Sequence, residues 1–219
     1  MNAEIAGDTR FDRVLEISAS TPELSLIDIF AKNNVLMVAG STWPQDEKLV
    51  FELSISSIAS AYKFIIAPHD IAQVRISQLI KLFGSKAVLF SNLSEENARI
   101  SRVLIMDNIG LLASLYRYGQ MAFIGGGFGK GVHNILEAAV FGIPVFFGPK
   151  HEKSREALQL KELNCAFSIK TSADLKAGFL KFDERASLRD QIKLDISAYF
   201  RRESGSTGKI LEKMKDFGF

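Results

Sequence analysis

The chain has few of the residues that define several common classes of protein. Its 219 residues contain a single cysteine, Cys165, which excludes a disulfide framework and a zinc site built from cysteine pairs. No apolar run approaches the roughly 18–20 residues needed to cross a bilayer, and the charged N-terminus lacks the apolar segment of a signal peptide. Lys and Arg total 27 against 25 Asp and Glu, a balance that gives no reason to expect a nucleic-acid partner. We therefore expect a soluble globular chain from a reducing compartment.

What the sequence does contain is an alternation of short apolar runs with longer amphipathic segments. The short runs have the length and composition of strands buried on both faces, and they lie at residues 35–39, 64–67, 87–90, 103–106, 121–124, 145–147 and 165–169. Helical spacing of apolar residues predicts helices at residues 48–62, 71–83, 110–118 and 134–141, and a mostly helical C-terminal part. Such alternation is typical of a parallel sheet flanked by helices, so we predict one α/β domain over residues 1–219.

The densest glycine cluster follows the fifth predicted strand, at Gly125, Gly126, Gly127, Gly129 and Gly131. Glycine permits positive φ and lets a backbone approach a ligand closely, and the free N–H groups of a strand-to-helix loop can bind an anion. Neither standard phosphate motif is present: no register supplies G-x-G-x-x-G, and Lys130 is followed by glycine where a P-loop has Ser or Thr. An ordinary flexible turn remains the alternative interpretation.

The predicted helix after this loop carries one polar residue, Glu137, between residues 135 and 141. A buried carboxylate is costly unless a partner donates to it. His133 and Asn134 precede Glu137 by four and three residues, so on a helix all three side chains would lie toward the loop. There the carboxylate suits the hydroxyls of a ribose, and the helix N-terminus suits a phosphate. The structural alternative is that His133 or Asn134 caps the helix while Glu137 pairs with a lysine.

Two other predicted strand ends carry candidate contacts, because ligands of open α/β sheets bind outside the carboxyl ends of the strands. Ser41 and Thr42 follow the first predicted strand, and His69 follows the second. Thr42 has a structural alternative, since Gln45 three residues later completes a capping box and Pro44 suits a first helical turn. For His69 a structural role and a ligand contact are both left open by the sequence. We see no catalytic triad and no set of metal ligands, and we predict neither a metal nor a cofactor.

The segment from Phe123 to Pro149, FIGGGFGKGVHNILEAAVFGIPVFFGP, resembles the donor-binding segment of 3-deoxy-D-manno-octulosonic acid (Kdo) transferases. These enzymes transfer Kdo from CMP-Kdo to the lipid A precursor of Gram-negative bacteria. VAGST at residues 38–42, PH at 68–69 and MDNIGLL at 106–112 match further family segments in the same order, and GDTRFD at 7–12 resembles the start of the family's second domain. The resemblance covers essentially the whole chain, and its most specific part is the glycine loop followed by His-Asn-x-x-Glu.

The resemblance implies a Rossmann-like three-layer αβα domain, the C-terminal half of an inverting GT-B glycosyltransferase that requires no metal. It places the glycine loop and Asn134 against the phosphate and sugar of the donor, and Glu137 against the ribose. The candidate donor-binding residues are Ser41, Thr42, His69, Gly126, Gly127, Gly129, Lys130, Gly131, His133, Asn134 and Glu137. One departure matters: many members have Arg-His where this chain has His69-Asp70, which leaves His69 as a weaker, pH-dependent phosphate contact.

The resemblance also implies which parts of the enzyme the chain lacks. The family's catalytic base is a glutamate of the N-terminal acceptor-binding domain, which has no counterpart in these 219 residues. We therefore expect CMP-Kdo as the donor substrate, a lipid A precursor bound through the absent domain, and no transfer by this chain alone. The full-length enzyme would work at the cytoplasmic face of the bacterial inner membrane. A GT-B enzyme that uses a UDP-sugar, a sugar-nucleotide epimerase domain and a non-catalytic nucleotide-binding domain remain alternatives.

Overall fold

The computed structural model describes the backbone of residues 4–216 and the side chains of residues 4–215. Its centre is one sheet, built from the strands β1 (Val35–Thr42), β2 (Tyr62–Pro68), β3 (Ala87–Leu89), β4 (Val103–Ile105), β5 (Met121–Ile124), β6 (Val145–Phe147) and β7 (Ala166–Ser168). Across the described residues the strand order is β3-β4-β2-β1-β5-β6-β7, and every neighbouring pair is parallel. Each predicted strand is therefore present, and the α/β fold class is confirmed.

Helices flank this sheet over most of the remaining chain. They are α1 (Thr9–Ala19), α2 (Ser25–Ala31), α3 (Pro44–Ser54), α4 (Gln73–Phe83), α5 (Glu95–Ile100), α6 (Leu112–Leu115), α7 (Leu136–Ala139), α8 (Arg155–Glu162), α9 (Ser172–Asp183), α10 (Ala186–Glu203) and α11 (Ser206–Asp216). The prediction of a helical C-terminal part is confirmed, whereas three of the predicted helices are longer than the ones observed.

Each of these differences has a local cause. The helix predicted at residues 48–62 is α3 followed by a 3₁₀ turn, because β2 already begins at Tyr62. The helix predicted at residues 110–118 is the short α6 followed by another 3₁₀ turn. The helix predicted at residues 134–141 is the single turn α7, and the chain leaves it at Gly142, whose φ is +71°.

Strand β2 is buried along its whole length although its second residue is a lysine. Lys63 is 5% exposed, and its Nζ donates to the carbonyl oxygens of Ala98 and Arg99 at 2.8 and 3.0 Å, near the end of α5. The same Nζ lies 4.5 Å from the centre of the Phe30 ring. Burial lowers the pKa of Lys63, while the helix-end carbonyls and the ring supply the partners that a buried ammonium needs. This lysine therefore stabilises the fold and contributes to no site.

The strand order creates a crevice at the carboxyl ends of β1 and β5. The chain leaves β1 toward β2 on one side and leaves β5 toward β6 on the other, so the connections diverge between two neighbouring strands. In open α/β sheets, ligands bind at such a switch point. Strand β1 also ends in a bulge at Ser41, where the pairing register shifts between Gly40 and Thr42 and φ is +53°. Because a positive φ is strained for serine, this bulge marks the same edge of the sheet.

Several compositional expectations can be compared with the fold. Among residues 4–216, no helix combines the length and the apolar character of a membrane span. Nor does that part of the chain bring together three His, Cys, Asp or Glu side chains in a group that could hold a metal ion. Cys165 is fully buried, as predicted for a small core residue.

Candidate functional site

The first half of the glycine loop packs against the protein's own backbone. A Cβ on Gly125 would lie 2.2 Å from the carbonyl oxygen of Ser41, and a Cβ on Gly127 would lie 2.6 Å from the amide nitrogen of Gly148. Gly126 has a φ of +91°. All three glycines are buried. Their missing side chains therefore allow the close approach of protein segments, and the donor contacts predicted for Gly126 and Gly127 stay predictions.

The second half of the loop is open. A Cβ on Gly129 would meet nothing closer than 3.6 Å, and Gly129 and Lys130 are exposed. The amides of Gly129 and Gly131 donate to the carbonyl of Gly126 at 2.9 and 3.1 Å, which closes the turn. Among the non-buried residues from 128 to 134, the amides that have no acceptor within the described residues are those of Phe128, Lys130 and Asn134. Such amides can donate to a bound anion.

A buried carboxylate that sequence reasoning missed ties this loop to the start of α3. The Oδ2 atom of Asp46, in the first turn of α3, accepts from the amide of Gly126 at 3.0 Å and from the amide of Trp43 at 2.9 Å. Asp46 is 0% exposed, and burial raises its pKa to about 6 although both amide hydrogen bonds act in the opposite direction. Because acidic residues are common in the first turn of any helix, nothing in the sequence distinguishes this one. The amide of Gly126 is thus already bonded within the protein.

The same interactions correct the predicted capping box of Thr42 and Gln45. Helix α3 begins after Trp43, and Asp46 supplies the carboxylate that receives the amide of that N-cap residue. The Oγ1 of Thr42 donates instead to Oε1 of Glu47 at 3.3 Å, with Thr42 only 1% exposed. Glu47 in turn pairs with Arg75 at 2.6 Å. The hydroxyl of Thr42 is therefore buried and bonded within the protein. Its predicted contact with the donor stays a prediction.

Three rings from three strand-end loops stack at the mouth of the crevice. Trp43 follows β1, His69 follows β2, and His133 follows the glycine loop. The centroids of Trp43 and His69 lie 4.7 Å apart at an interplanar angle of 27°, and those of His69 and His133 lie 4.6 Å apart at 23°. The indole Nε1 of Trp43 donates to Nε2 of His133 at 3.1 Å. The structure thus brings both predicted histidines together and adds a tryptophan that the sequence did not single out.

Asn134 and Glu137 form a pair, as their spacing suggested, but only Glu137 lies on α7. The Nδ2 of Asn134 donates to Oε1 of Glu137 at 3.1 Å, while Oδ1 of Asn134 accepts from the amide of Leu136 at 3.2 Å. Burial raises the pKa of Glu137, and the hydrogen bond from Asn134 acts in the opposite direction. The N-cap of α7 is Ile135, so Asn134, one residue earlier, bonds the first amide of the helix and the carboxylate without being the cap, and the alternative of a lysine partner is wrong for the described residues. Because α7 is one turn long, its dipole contributes little to anion binding.

A cavity of about 690 Å³ lies beside the open half of the loop and is lined by residues 129–134, residues 150–156 and Arg10. The cationic residues Lys130, Lys150, Lys153 and Arg155 contribute to its lining. Of its two carboxylates, Glu156 is already paired with Arg10 at 2.9 Å. The cavity wall therefore carries excess positive charge, which suits an anionic ligand.

The predicted site residues divide into two groups around this cavity. Those that line it are Gly129, Lys130, Gly131, His133 and Asn134. Those that do not are Ser41, Thr42, His69, Gly126, Gly127 and Glu137. Glu137 instead lines a separate small cavity between α1, α6 and α7. Its volume of about 10 Å³ is too small for a sugar.

Comparison with known proteins shows what the chain as a whole is similar to. No family model matches the chain. Curated relatives named 3-deoxy-D-manno-octulosonic acid transferase are 29% identical over 83% of the chain in Aquifex aeolicus and 27% identical over 70% in Rickettsia typhi. A third, from Chlamydia trachomatis serovar A, is 30% identical over 61%. The chain spans 49%, 34% and 32% of these relatives, about half of their length or less. The resemblance to Kdo transferases is confirmed.

Solved structures agree on the fold. The C-terminal CMP-Kdo binding domain of WaaA from Acinetobacter baumannii has a TM-score of 0.63 at 16% identity, with 86% of this chain and 96% of that one covered. WaaG, a glycosyltransferase of lipopolysaccharide biosynthesis, has a TM-score of 0.52 at 13% identity over 83% of this chain and 48% of its own. UDP-GlcNAc 2-epimerase from Neisseria meningitidis has a TM-score of 0.58 at 12% identity, over 86% and 48%. The predicted Rossmann-like domain, of the kind that forms the C-terminal half of GT-B glycosyltransferases, is thereby confirmed.

Proposed function

We propose that this chain is the donor-binding domain of a glycosyltransferase that transfers Kdo from CMP-Kdo to a lipid A precursor. The observation that carries the proposal is the basic cavity beside the open half of the glycine loop, which Gly129, Lys130 and Gly131 line together with Lys153. Lys130 and Lys153 make no ion pair within the described part of the chain. A donor such as CMP-Kdo carries a phosphate and a sugar carboxylate, which are the charges that such a wall would attract.

The donor's phosphate would be bound by the open half of the glycine loop. The amides of Phe128 and Lys130 are free to donate, and the Lys130 side chain would add a cation near the phosphate. The Nζ of Lys150 donates to the carbonyl of Gly129 at 2.8 Å, so it keeps the loop in place while its charge faces the cavity. We expect binding to need no metal cofactor.

The ribose would be bound by the pair formed by Asn134 and Glu137. Because Asn134 occupies only Oε1 of Glu137, the second carboxylate oxygen remains able to accept from a hydroxyl. The small cavity next to Glu137 would have to widen from about 10 Å³ before a sugar could enter. The ribose contact is therefore the part of the proposal that requires a conformational change.

The acceptor half of the reaction would come from a further domain. The proposal places the general base and the lipid A precursor there, and it places the whole enzyme at the cytoplasmic face of the inner membrane. The parts of the relatives named Kdo transferase that match this chain are 49%, 34% and 32% of their lengths, which leaves room in them for a second domain. Kdo transfer by these 219 residues alone is not expected.

Calorimetric titration of the chain with CMP and, in parallel, with UDP tests the proposal. We expect CMP to bind, and we expect Glu137→Ala to weaken it by about 1–3 kcal/mol because a ribose hydroxyl loses a charged acceptor. The matched control is Glu96→Ala, which removes an exposed carboxylate from α5 at the other end of the sheet. Absence of CMP binding at millimolar concentration would contradict the proposal. Tighter binding of UDP would instead favour a UDP-sugar enzyme or an epimerase-like domain.

A further inference from the structure

The contact between Trp43 and His133 determines which imidazole nitrogen carries hydrogen. An indole N–H can only donate, so Nε2 of His133, at 3.1 Å from Nε1 of Trp43, must be the unprotonated acceptor. The neutral ring then carries its hydrogen on Nδ1. In a free histidine both tautomers are populated, and the second partner of the ring normally decides between them. Here the deciding partner is a tryptophan from a different loop.

The surroundings of His133 hold the ring in this orientation. A Cβ on Gly126 would lie 2.8 Å from Cδ2 and 3.1 Å from Nε2 of His133, so the Nε2 edge of the ring rests against the glycine loop. His69 stacks on the face of the same ring at 4.6 Å. Nδ1 lies on the other edge, makes no hydrogen bond within the described residues and is not enclosed by them. The ring therefore has its donor on the edge that the protein leaves free.

The surroundings of His133 lower its pKa and so favour the neutral ring. Burial lowers its pKa, and the neighbouring His69 lowers it further. The other titratable groups near the ring are Asp46, behind Gly126, and the lysines of the cavity wall. The indole of Trp43 also lowers the pKa of His133, because a protonated Nε2 would leave two N–H donors facing each other.

We propose that Trp43 is a positioning residue, which holds His133 in the tautomer that donates from Nδ1 to an anionic group bound in the cavity. His133 lines the cavity together with Lys130 and Lys150. The identity of that group rests on the proposed function, which makes it the phosphate of the donor nucleotide. The histidine then supplies a neutral hydrogen-bond donor at pH 7, so this contact does not depend on an imidazolium. Such a contact would partly replace the arginine that many Kdo transferases have after the second strand and that this chain lacks.

The tautomer can be read directly from two-bond ¹H–¹⁵N correlation spectra of the labelled chain, which has only three histidines. We expect His133 to show a protonated Nδ1 and an unprotonated Nε2 at pH 7.5. Trp43→Phe keeps a ring against His69 but removes the N–H, so His133 should change to mixed tautomers and its pKa should rise. His151, whose Nε2 lies 2.7 Å from Nζ of Lys161, is the internal reference that should not move. A hydrogen on Nε2 of His133 in the unmodified chain, or an unchanged spectrum in Trp43→Phe, would overturn the proposal.

Titration with CMP and with inorganic phosphate tests the donation itself. Binding should shift the Nδ1 resonance of His133, and Trp43→Phe should bind CMP about three- to tenfold more weakly at pH 7.5. His133→Asn, whose amide N–H falls near the Nδ1 position, should retain more affinity than His133→Gln. In the His133→Asn background, Trp43→Phe should have no additional effect, because the two side chains act through one hydrogen bond.

The outcomes separate this proposal from the proposed function. If CMP binds without shifting the Nδ1 resonance of His133, and Trp43→Phe binds CMP as tightly as the unmodified chain, the donation is refuted and the function stands. If phosphate binds and shifts Nδ1 while CMP does not bind, the function is refuted and the donation stands. If neither ligand shifts Nδ1, the donation is refuted whatever the tautomer.

Discussion

The two halves of the glycine loop use the same residue for different reasons. At Gly125 and Gly127 an added Cβ would lie 2.2 and 2.6 Å from backbone atoms of the protein itself, so glycine is required by packing. At Gly129 the nearest atom would lie 3.6 Å away, and the residue is exposed. Glycine is required there by neither packing nor conformation. The comparison indicates that the first half determines whether the loop forms and the second half determines what it can contact.

The two halves also differ in what anchors them. The first half is held from below by the buried Asp46, which accepts from the amide of Gly126. The second half is held from outside by the exposed Lys150, whose Nζ donates to the carbonyl of Gly129. A buried charged hydrogen bond is costly to break, whereas an exposed one contributes little. Substitutions in the first half should therefore change stability, and those in the second half should change mainly binding.

The largest effect is expected for Gly127→Ala. The new Cβ would lie 2.6–2.9 Å from the nitrogen, Cα and carbonyl carbon of Gly148, which as backbone atoms cannot rotate away. We expect a loss of about 2–3 kcal/mol in the free energy of unfolding, measured as a lower urea midpoint at constant slope. The matched control is Gly208→Ala in α11, where nothing lies within 4 Å and no loss is expected. Equal stability of Gly127→Ala and the unmodified chain would mean that the loop is not packed as described.

A smaller effect is expected at the anchor of the first half. Asp46→Ala leaves the buried amides of Gly126 and Trp43 without an acceptor, which should lower the free energy of unfolding by about 1–3 kcal/mol. Asp46→Asn keeps one side-chain oxygen for both amides and should lose less. The two variants differ chiefly in that oxygen, so equal losses in urea denaturation would refute the role of the carboxylate as an anchor.

The pH dependence of the same site follows from the buried carboxyl. The pKa of Asp46 is about 6 in the folded chain, against an ordinary value of 3.8. A carboxyl that is harder to ionise when folded contributes stability that is present below the ordinary pKa and lost as pH rises through the folded one. The stability of the unmodified chain relative to Asp46→Asn should therefore fall between about pH 4 and pH 6 and then stay level. A relative stability that rises over this range would show that the two amides outweigh burial.

The sequence predicted the sheet better than it predicted the helices. Every strand was visible as a short apolar run, because the central strands are buried on both faces and even the half-buried edge strands β3 and β7 are mostly apolar. Helix ends depend on single contacts that leave little trace in the sequence. Tyr62, which periodicity assigned to a helix, pairs with Val35 as the first residue of β2. Helices α1 and α2 were not predicted, since each is recognisable mainly by the residues it buries, such as Phe11 and Phe30.

The candidate site was predictable where chemistry lies close together in the chain. The pair of Asn134 and Glu137 was visible because its members are three residues apart. The tie between Asp46 and Gly126 spans 80 residues and uses a carboxylate that looks like an ordinary helix-start acid. The same holds for Trp43, which resembles an exposed aromatic until the fold brings it to His133 across 90 residues. Such contacts depend on the strand order, which no local pattern encodes.

The smallest effect on stability is expected for Gly129→Ala, in the open half of the loop. Its φ is not in the left-handed region and an added methyl would meet only ordinary van der Waals contact at 3.6 Å, so the free energy of unfolding should change by less than about 0.5 kcal/mol. Because Gly129 lines the cavity beside the free amide of Lys130, the methyl should still occupy space that a phosphate needs and weaken CMP binding. Calorimetry and urea denaturation of one protein preparation measure both quantities. Unchanged stability with weakened binding would place the ligand on the open half, whereas unchanged binding would show that the donor contacts the loop elsewhere.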